Sequence, residues 1–110
     1  MRPVINVYLY EDGVKFFGEG PCRLLHGIDR TGSLRAAAME MDMSYSKATA
    51  ILNRAEKALK FSLTEKKIGG KGGGGSQLTP KAREFLKRYE KYREACYEAN
   101  SRIYHEIFSK

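Results

Sequence analysis

The sequence has no tryptophan, two histidines, three prolines and two cysteines in 110 residues. Each scarcity excludes something. Cys22 and Cys96 stand far apart and form no disulfide framework of the kind that staples small secreted domains, so a reduced, cytoplasmic protein is expected. No apolar run approaches the roughly 18 to 20 residues a membrane helix needs, and no membrane contact is expected. The N-terminal MRPVINVYLYEDG meets an acidic turn instead of a small-residue cleavage site, and does not read as a secretory signal. No nucleophile, base and orienting acid form a recognisable triad, so no catalytic residue is assigned and an enzyme is not expected. Cys22 and His26, four residues apart, are half of a metal site. No second ligand pair lies near them in sequence, and a tetrahedral site needs four ligands, so neither metal nor cofactor is expected.

What is present is positive charge, unevenly placed. Hydrophobic residues at 42% and charged residues at 30% fit one folded domain with a modest core. The net charge is +7. Residues 43–83 hold nine Lys/Arg against two Asp/Glu, whereas residues 1–42 hold five against six and residues 84–110 six against five. A basic patch confined to the middle third is the electrostatic footprint of a phosphate-binding face; the plainer alternative is a solvated basic surface.

Along the chain, Val4–Tyr10 is β-branched and aromatic with imperfect alternation and reads as a strand. Asp12-Gly13 is a hairpin turn, with Val14–Phe17 returning. Gly20-Pro21 opens a helix whose inward stripe is Leu24, Leu25 and Ile28, and Thr31-Gly32 stops it. Ser33 caps a helix from Leu34 to Met41 carrying three consecutive alanines, whose small side chains let two helices approach closely. A turn at Asp42-Met43-Ser44 leads to a helix capped by Ser44 and running to about Lys60. Ala48, Ile51, Leu52, Ala55 and Leu59 share its inward face. Its outer face shows Ser46, Ala50, Asn53 and Lys57, flanked by Lys47, Thr49 and Arg54. Two short helices joined by a tight turn are a helix-turn-helix, whose second helix enters the DNA major groove. On such a helix Asn pairs bidentately with adenine and Lys/Arg hold phosphates; an ordinary amphipathic helix with a solvated face is the alternative.

Leu63–Ile68 and Gln77–Thr79 read as strands around a loop in which six of the seven residues Gly69–Gly75 are glycine, Lys71 being the exception. Glycine lets backbone N–H groups approach a phosphate closely. A nucleotide-binding loop needs Gly-Lys-Ser/Thr, and here Lys71 precedes Gly72. A flexible linker and a loop without ligand are the other readings. A hairpin after the recognition helix is the wing of a winged helix-turn-helix. Thr79-Pro80 then starts a helix to about Ser109, with Phe85, Tyr89, Tyr92, Cys96, Ala99, Ile103 and Ile107 at steps of mostly three and four. This heptad-like seam suits pairing with a second copy; packing on its own domain is the alternative.

With these residues laid out, the chain from about Arg23 to Tyr89 resembles the N-terminal DNA-binding domain of the ModE-type molybdate-responsive regulators, related to the LysR-type winged helix-turn-helix. Ile28-Asp29, TGSLRAAA (Thr31–Ala38), MSYSKA (Met43–Ala48), Asn53-Arg54 and IGGKGGGGSQLTP (Ile68–Pro80) carry the resemblance. Thr49 stands where that family usually has tryptophan, which puts a different base preference in view. Full-length members continue into a molybdate-binding region, whereas this sequence stops at Lys110. The resemblance therefore implies DNA binding and dimerisation, without a small-molecule effector site.

The resulting expectation is a mainly α protein with small β elements. Residues 1–79 form a winged helix-turn-helix domain with an N-terminal hairpin (4–17) and a wing (63–79), and residues 80–110 form a dimerisation helix. Ser33, Arg35, Ser44, Tyr45, Ser46, Lys47, Thr49, Ala50, Asn53, Arg54, Lys57, Lys71, Gly72 and Gly73 are expected to meet double-stranded DNA in a homodimeric transcriptional regulator. A protein-interaction module that modulates another regulator, and a nucleoid-type binder without an operator, are the competing functions.

Overall fold

The computed structural model describes residues 1–67 and 75–109. Strands β1 (Leu9–Glu11) and β2 (Val14–Phe17) are joined by Asp12-Gly13, both at positive φ (49° and 76°), as the twist of a two-residue hairpin turn demands. Leu9 pairs with Phe17 and Tyr10 with Lys15, so Phe16 is the extra residue of a β-bulge. The bulge breaks strict alternation and lets Phe16 and Phe17 both turn inward, where each is buried.

Val4–Tyr8 is not a strand. β2 is only four residues long before the chain enters a helix, so nothing remains for these residues to pair with. Their alternation is nonetheless real. Pro3, Ile5, Val7 and Leu9 are half-buried while Val4, Asn6, Tyr8 and Tyr10 face solvent, because this extended segment lies against a helix.

Helix α1 (Glu19–Thr31) buries Leu24, Leu25 and Ile28 completely and ends on Gly32, whose left-handed φ of 73° completes the cap. Helix α2 (Leu34–Glu40) starts at Ser33, whose side chain accepts a hydrogen bond from the Ala36 N–H. A Cβ on Gly27 of α1 would come within 2.9 Å of the Ala37 Cβ, so glycine facing alanine is what allows these helices to cross this closely. The turn after α2 places Asp42 at φ 54°, a short polar residue that tolerates the left-handed region. Helix α3 (Tyr45–Leu59) is capped by Ser44 and buries Ala48, Leu52 and Ala55, with Ile51 and Leu59 partly covered.

Strands β3 (Thr64–Lys66) and β4 (Ser76–Leu78) pair antiparallel, Thr64 opposite Leu78. The Ser76 N–H donates to the Gly32 carbonyl at 2.8 Å, tying this hairpin to the end of α1. Helix α4 (Pro80–Phe108) has 29 residues, about 44 Å at 1.5 Å per residue. Thr79 caps it by accepting from the Ala82 N–H while donating to the Ser62 carbonyl. Among the described residues no helix is long and apolar enough to cross a membrane.

The first turns of α4 belong to the core. Ala82, Leu86 and Tyr89 are buried, and the Phe17 ring meets Phe85 and Tyr89 edge-on with centroids 4.9 and 4.8 Å apart. The Tyr89 hydroxyl donates to the Val7 carbonyl at 2.9 Å, and burial pushes its pKa up to about 12. Phe85 and Tyr89, expected in a seam between copies, are thus occupied within their own chain. The bulged hairpin brings Phe17 to them first. Farther along, the Tyr104 hydroxyl donates to the Met1 carbonyl, so residues 1–8 run along one side of the helix. Ile103, Ile107 and Phe108 remain exposed.

Candidate nucleic-acid interface

The close α1–α2 crossing and the buried stripe of α3 leave one face of α3 to solvent. Tyr45, Ser46, Lys47, Ala50, Asn53, Arg54 and Lys57 all lie on it, exposed. The carboxylate of Glu56 is turned away, accepting a hydrogen bond from the Leu63 N–H at 2.7 Å. The exposed charge of α3 is therefore all positive. At its N-terminal end the Arg35 guanidinium lies 4.6 Å from the centre of the Tyr45 ring, which orders both side chains beside the turn.

Ser33 and Ser44 accept from the Ala36 and Lys47 N–H groups and so cap α2 and α3 as expected. One expected contact is placed differently. Among the described residues the buried Thr49 hydroxyl has no hydrogen-bond partner, and it faces the domain and not the outer surface. Thr49 lies one position past the buried Ala48, on the edge of the inward stripe, and a helical wheel blurs such an edge. Lys71, Gly72 and Gly73 lie outside the described residues.

The fold adds a residue that sequence spacing did not single out. Lys15 of β2 lines a groove of about 310 Å³ together with Lys47, Ile51 and Arg54 of α3, and its ammonium lies 4.5 Å from the centre of the Tyr8 ring. Three cations from two distant segments thus line one groove, with Glu19 of α1 also on its rim. A larger groove, about 830 Å³, runs between the hairpin tip and the C-terminal half of α3, lined by Glu11, Asp12, Asn53, Arg54 and Lys57 among others. Local sequence carries no signal for either juxtaposition; only the bulged hairpin's docking creates them.

On the α1 surface that meets α4, a separate polar cluster joins the two helices. His26 Nε2 lies 3.0 Å from Glu90, Arg83 pairs with Asp29 at 2.8 Å, and Arg93 pairs with Glu19 at 2.9 Å while lying 3.7 Å from Cys22 Sγ. Burial, reinforced by Glu90, pushes the Cys22 thiol pKa up to about 11. Burial disfavours the charge on Arg93, but the Glu94 hydrogen bond and the Glu19 charge outweigh it and hold its pKa above the ordinary value.

A helix-turn-helix followed by a two-stranded hairpin and packed against a long helix is a winged helix-turn-helix. The pattern of the bacterial regulatory helix-turn-helix proteins of the lysR family matches residues 22–83, and the chain belongs to that family. It is 44% identical over 63 residues to the molybdenum transport protein ModE of Herbaspirillum seropedicae, a match spanning 57% of this chain and 23% of that protein. It is 38% identical over 68 residues to the transcriptional regulator ModE of Haemophilus influenzae, spanning 62% and 27%. It is 38% identical over 66 residues to the molybdenum-pterin-binding protein MopB of Rhodobacter capsulatus, spanning 60% and 24%. The match spans about a quarter of the length of these relatives. The fold is similar to that of the CbnR DNA-binding domain solved in complex with DNA, with a TM-score of 0.61 at 19% identity, covering 80% of this chain and 95% of that one. The resemblance expected from TGSLRAAA and the glycine-rich stretch is borne out.

Proposed function

We propose that this chain is a sequence-specific, DNA-binding transcriptional regulator that works in the cytoplasm as a homodimer. The observation that carries the reading is the outward face of α3: Lys47, Asn53, Arg54 and Lys57 exposed together, with the one carboxylate of that helix, Glu56, turned inward. In this reading α3 enters the major groove, Asn53 reads a base edge, and Lys47, Lys57 and Lys15 hold phosphates on either side. Lys71 in the glycine-rich wing meets the backbone or the minor groove. The exposed Ile103 and Ile107 of α4 pair with a second copy and set the spacing of two half-sites. The proposal is of binding, not catalysis, and assigns no residue to molybdate.

The test is the slope of log affinity against log salt on duplex DNA. Each phosphate contact removed lowers that slope by about 0.9. Lys47→Ala, Lys57→Ala and Lys15→Ala should each flatten it by about that much and weaken binding to all sequences alike. Asn53→Ala should cost about 1–3 kcal/mol on the preferred site and little on random duplex. Slopes unchanged in all three lysine variants would remove α3 from the phosphate backbone. Failure to bind any duplex at low salt, with capture of a larger regulator, would instead favour the interaction module.

A further inference from the structure

The geometry points to a binding site for one divalent transition-metal ion, formed by Cys22, His26 and Glu90, that fastens α1 to α4. Cys22 and His26 stand four residues apart on α1 and so share one face. The sequence offers no second Cys/His pair near them, but α4 supplies Glu90 from 64 residues beyond His26. The thiol sulfur, a ring nitrogen and a carboxylate oxygen all lie within 4.8 Å of one another. One sulfur, one nitrogen and one oxygen donor suit a borderline ion such as Zn²⁺ or Co²⁺, not Mg²⁺ or Ca²⁺. Three protein ligands leave the fourth tetrahedral position to water.

Bonds of about 2.0–2.3 Å at the tetrahedral angle place ligand atoms about 3.3–3.8 Å apart, so the widest gap must close by about 1 Å. Cys22 is 2% exposed, whereas the side chains of His26 and Glu90 are 52% and 33% exposed and have room to turn toward it once their mutual contact opens. Charge balances as well. A dication, the Cys22 thiolate, the Glu90 carboxylate and a neutral imidazole sum to zero. Arg93, 3.8 Å from Glu90, keeps Glu19 at 2.9 Å and Glu94 at 3.2 Å as partners, so it is not stranded when Glu90 turns to the ion. As the metal–sulfur bond forms, the thiol proton leaves to solvent, and the metal–nitrogen and metal–oxygen bonds replace the direct His26–Glu90 contact.

The experiment is a titration of the full chain, kept reduced, with Co²⁺ alone, following the thiolate-to-cobalt charge-transfer absorption. The expected result is one equivalent bound, an absorption that Zn²⁺ abolishes, and no change in Cys96→Ser. Cys22→Ser should lose the absorption. His26→Gln and Glu90→Gln, both at partly exposed positions, should keep the native circular dichroism yet bind about a hundredfold more weakly or worse, since even supporting groups around a metal are worth 10–100-fold. Zn²⁺ at about a hundred times its Kd should raise the wild-type Tm by about 10 °C and that of Glu90→Gln by no more than about 2 °C. Absence of the absorption in the wild type, its persistence at full strength in His26→Gln and Glu90→Gln, or its loss in Cys96→Ser would each overturn the site.

Discussion

The two ends of α4 carry similar side chains at similar spacing and meet opposite surroundings. Phe85, Leu86 and Tyr89 close over Phe17 and complete the core, whereas Ile103, Ile107 and Phe108 stand exposed at 47%, 68% and 61%. Periodicity therefore identifies a face of a helix without saying what covers it. The covering is decided by what the rest of the chain brings. The β2 bulge turns Phe17 inward onto Phe85 and Tyr89 at the proximal end. Among the described residues, the extended segment 1–8 is what reaches the distal part, and it covers one side of it.

The largest expected effect follows from this contrast. Phe17→Ala should cost about 3–5 kcal/mol in denaturant unfolding, because it opens a cavity beneath the Phe85 and Tyr89 rings. Ile107→Ala, measured on dilute monomer, should stay within about 0.5 kcal/mol, since the side chain is exposed there. Equal costs at the two positions would erase the distinction between the two ends. Next, Ile103→Asp and Ile107→Asp should each weaken self-association by at least about tenfold, the equivalent of losing most of a buried isoleucine's 1.5–3 kcal/mol, read by sedimentation equilibrium. Unchanged self-association would mean that copies pair elsewhere.

Tyr89→Phe should cost about 1 kcal/mol by leaving the Val7 carbonyl without its donor. It also carries a pH signature. The folded-state pKa is raised from 10.0 to about 12, so this contribution is complete below pH 10 and is lost as pH rises toward 12. Alkaline unfolding curves of Tyr89→Phe should therefore be flatter than wild type across that window. The smallest effect tests the same contrast on α3, between outward Lys47 and inward Thr49. Thr49→Val removes a buried hydroxyl that has no partner among the described residues and should raise stability by about 0.5–1 kcal/mol without changing DNA affinity. A loss of affinity would return Thr49 to the interface.

Much of the fold was legible because helix ends are written locally. Ser33, Ser44 and Thr79 cap as expected, and Gly32 stops α1, since each acts on backbone groups within three or four residues. The outward set on α3 was legible from its 3.6-residue period except at Thr49, the stripe's edge. What stayed hidden depends on distant segments. Val4–Tyr8 alternates as a strand does but packs on a helix. Phe85 and Tyr89 follow a pairing rhythm but serve the core. Lys15 joins Lys47 and Arg54 only through the hairpin's docking, and Glu90 reaches Cys22 and His26 only because α1 and α4 pack together.

The central claim is that the exposed face of α3 reads sequence while the distal end of α4 pairs two copies. Selection of bound sequences from a random duplex pool tests both at once. The account predicts an enriched pseudo-palindrome of two half-sites, with base preference relaxed at one position in each half for Asn53→Ala. A pool that emerges unenriched, or a preferred sequence that Asn53→Ala leaves unchanged, would contradict it.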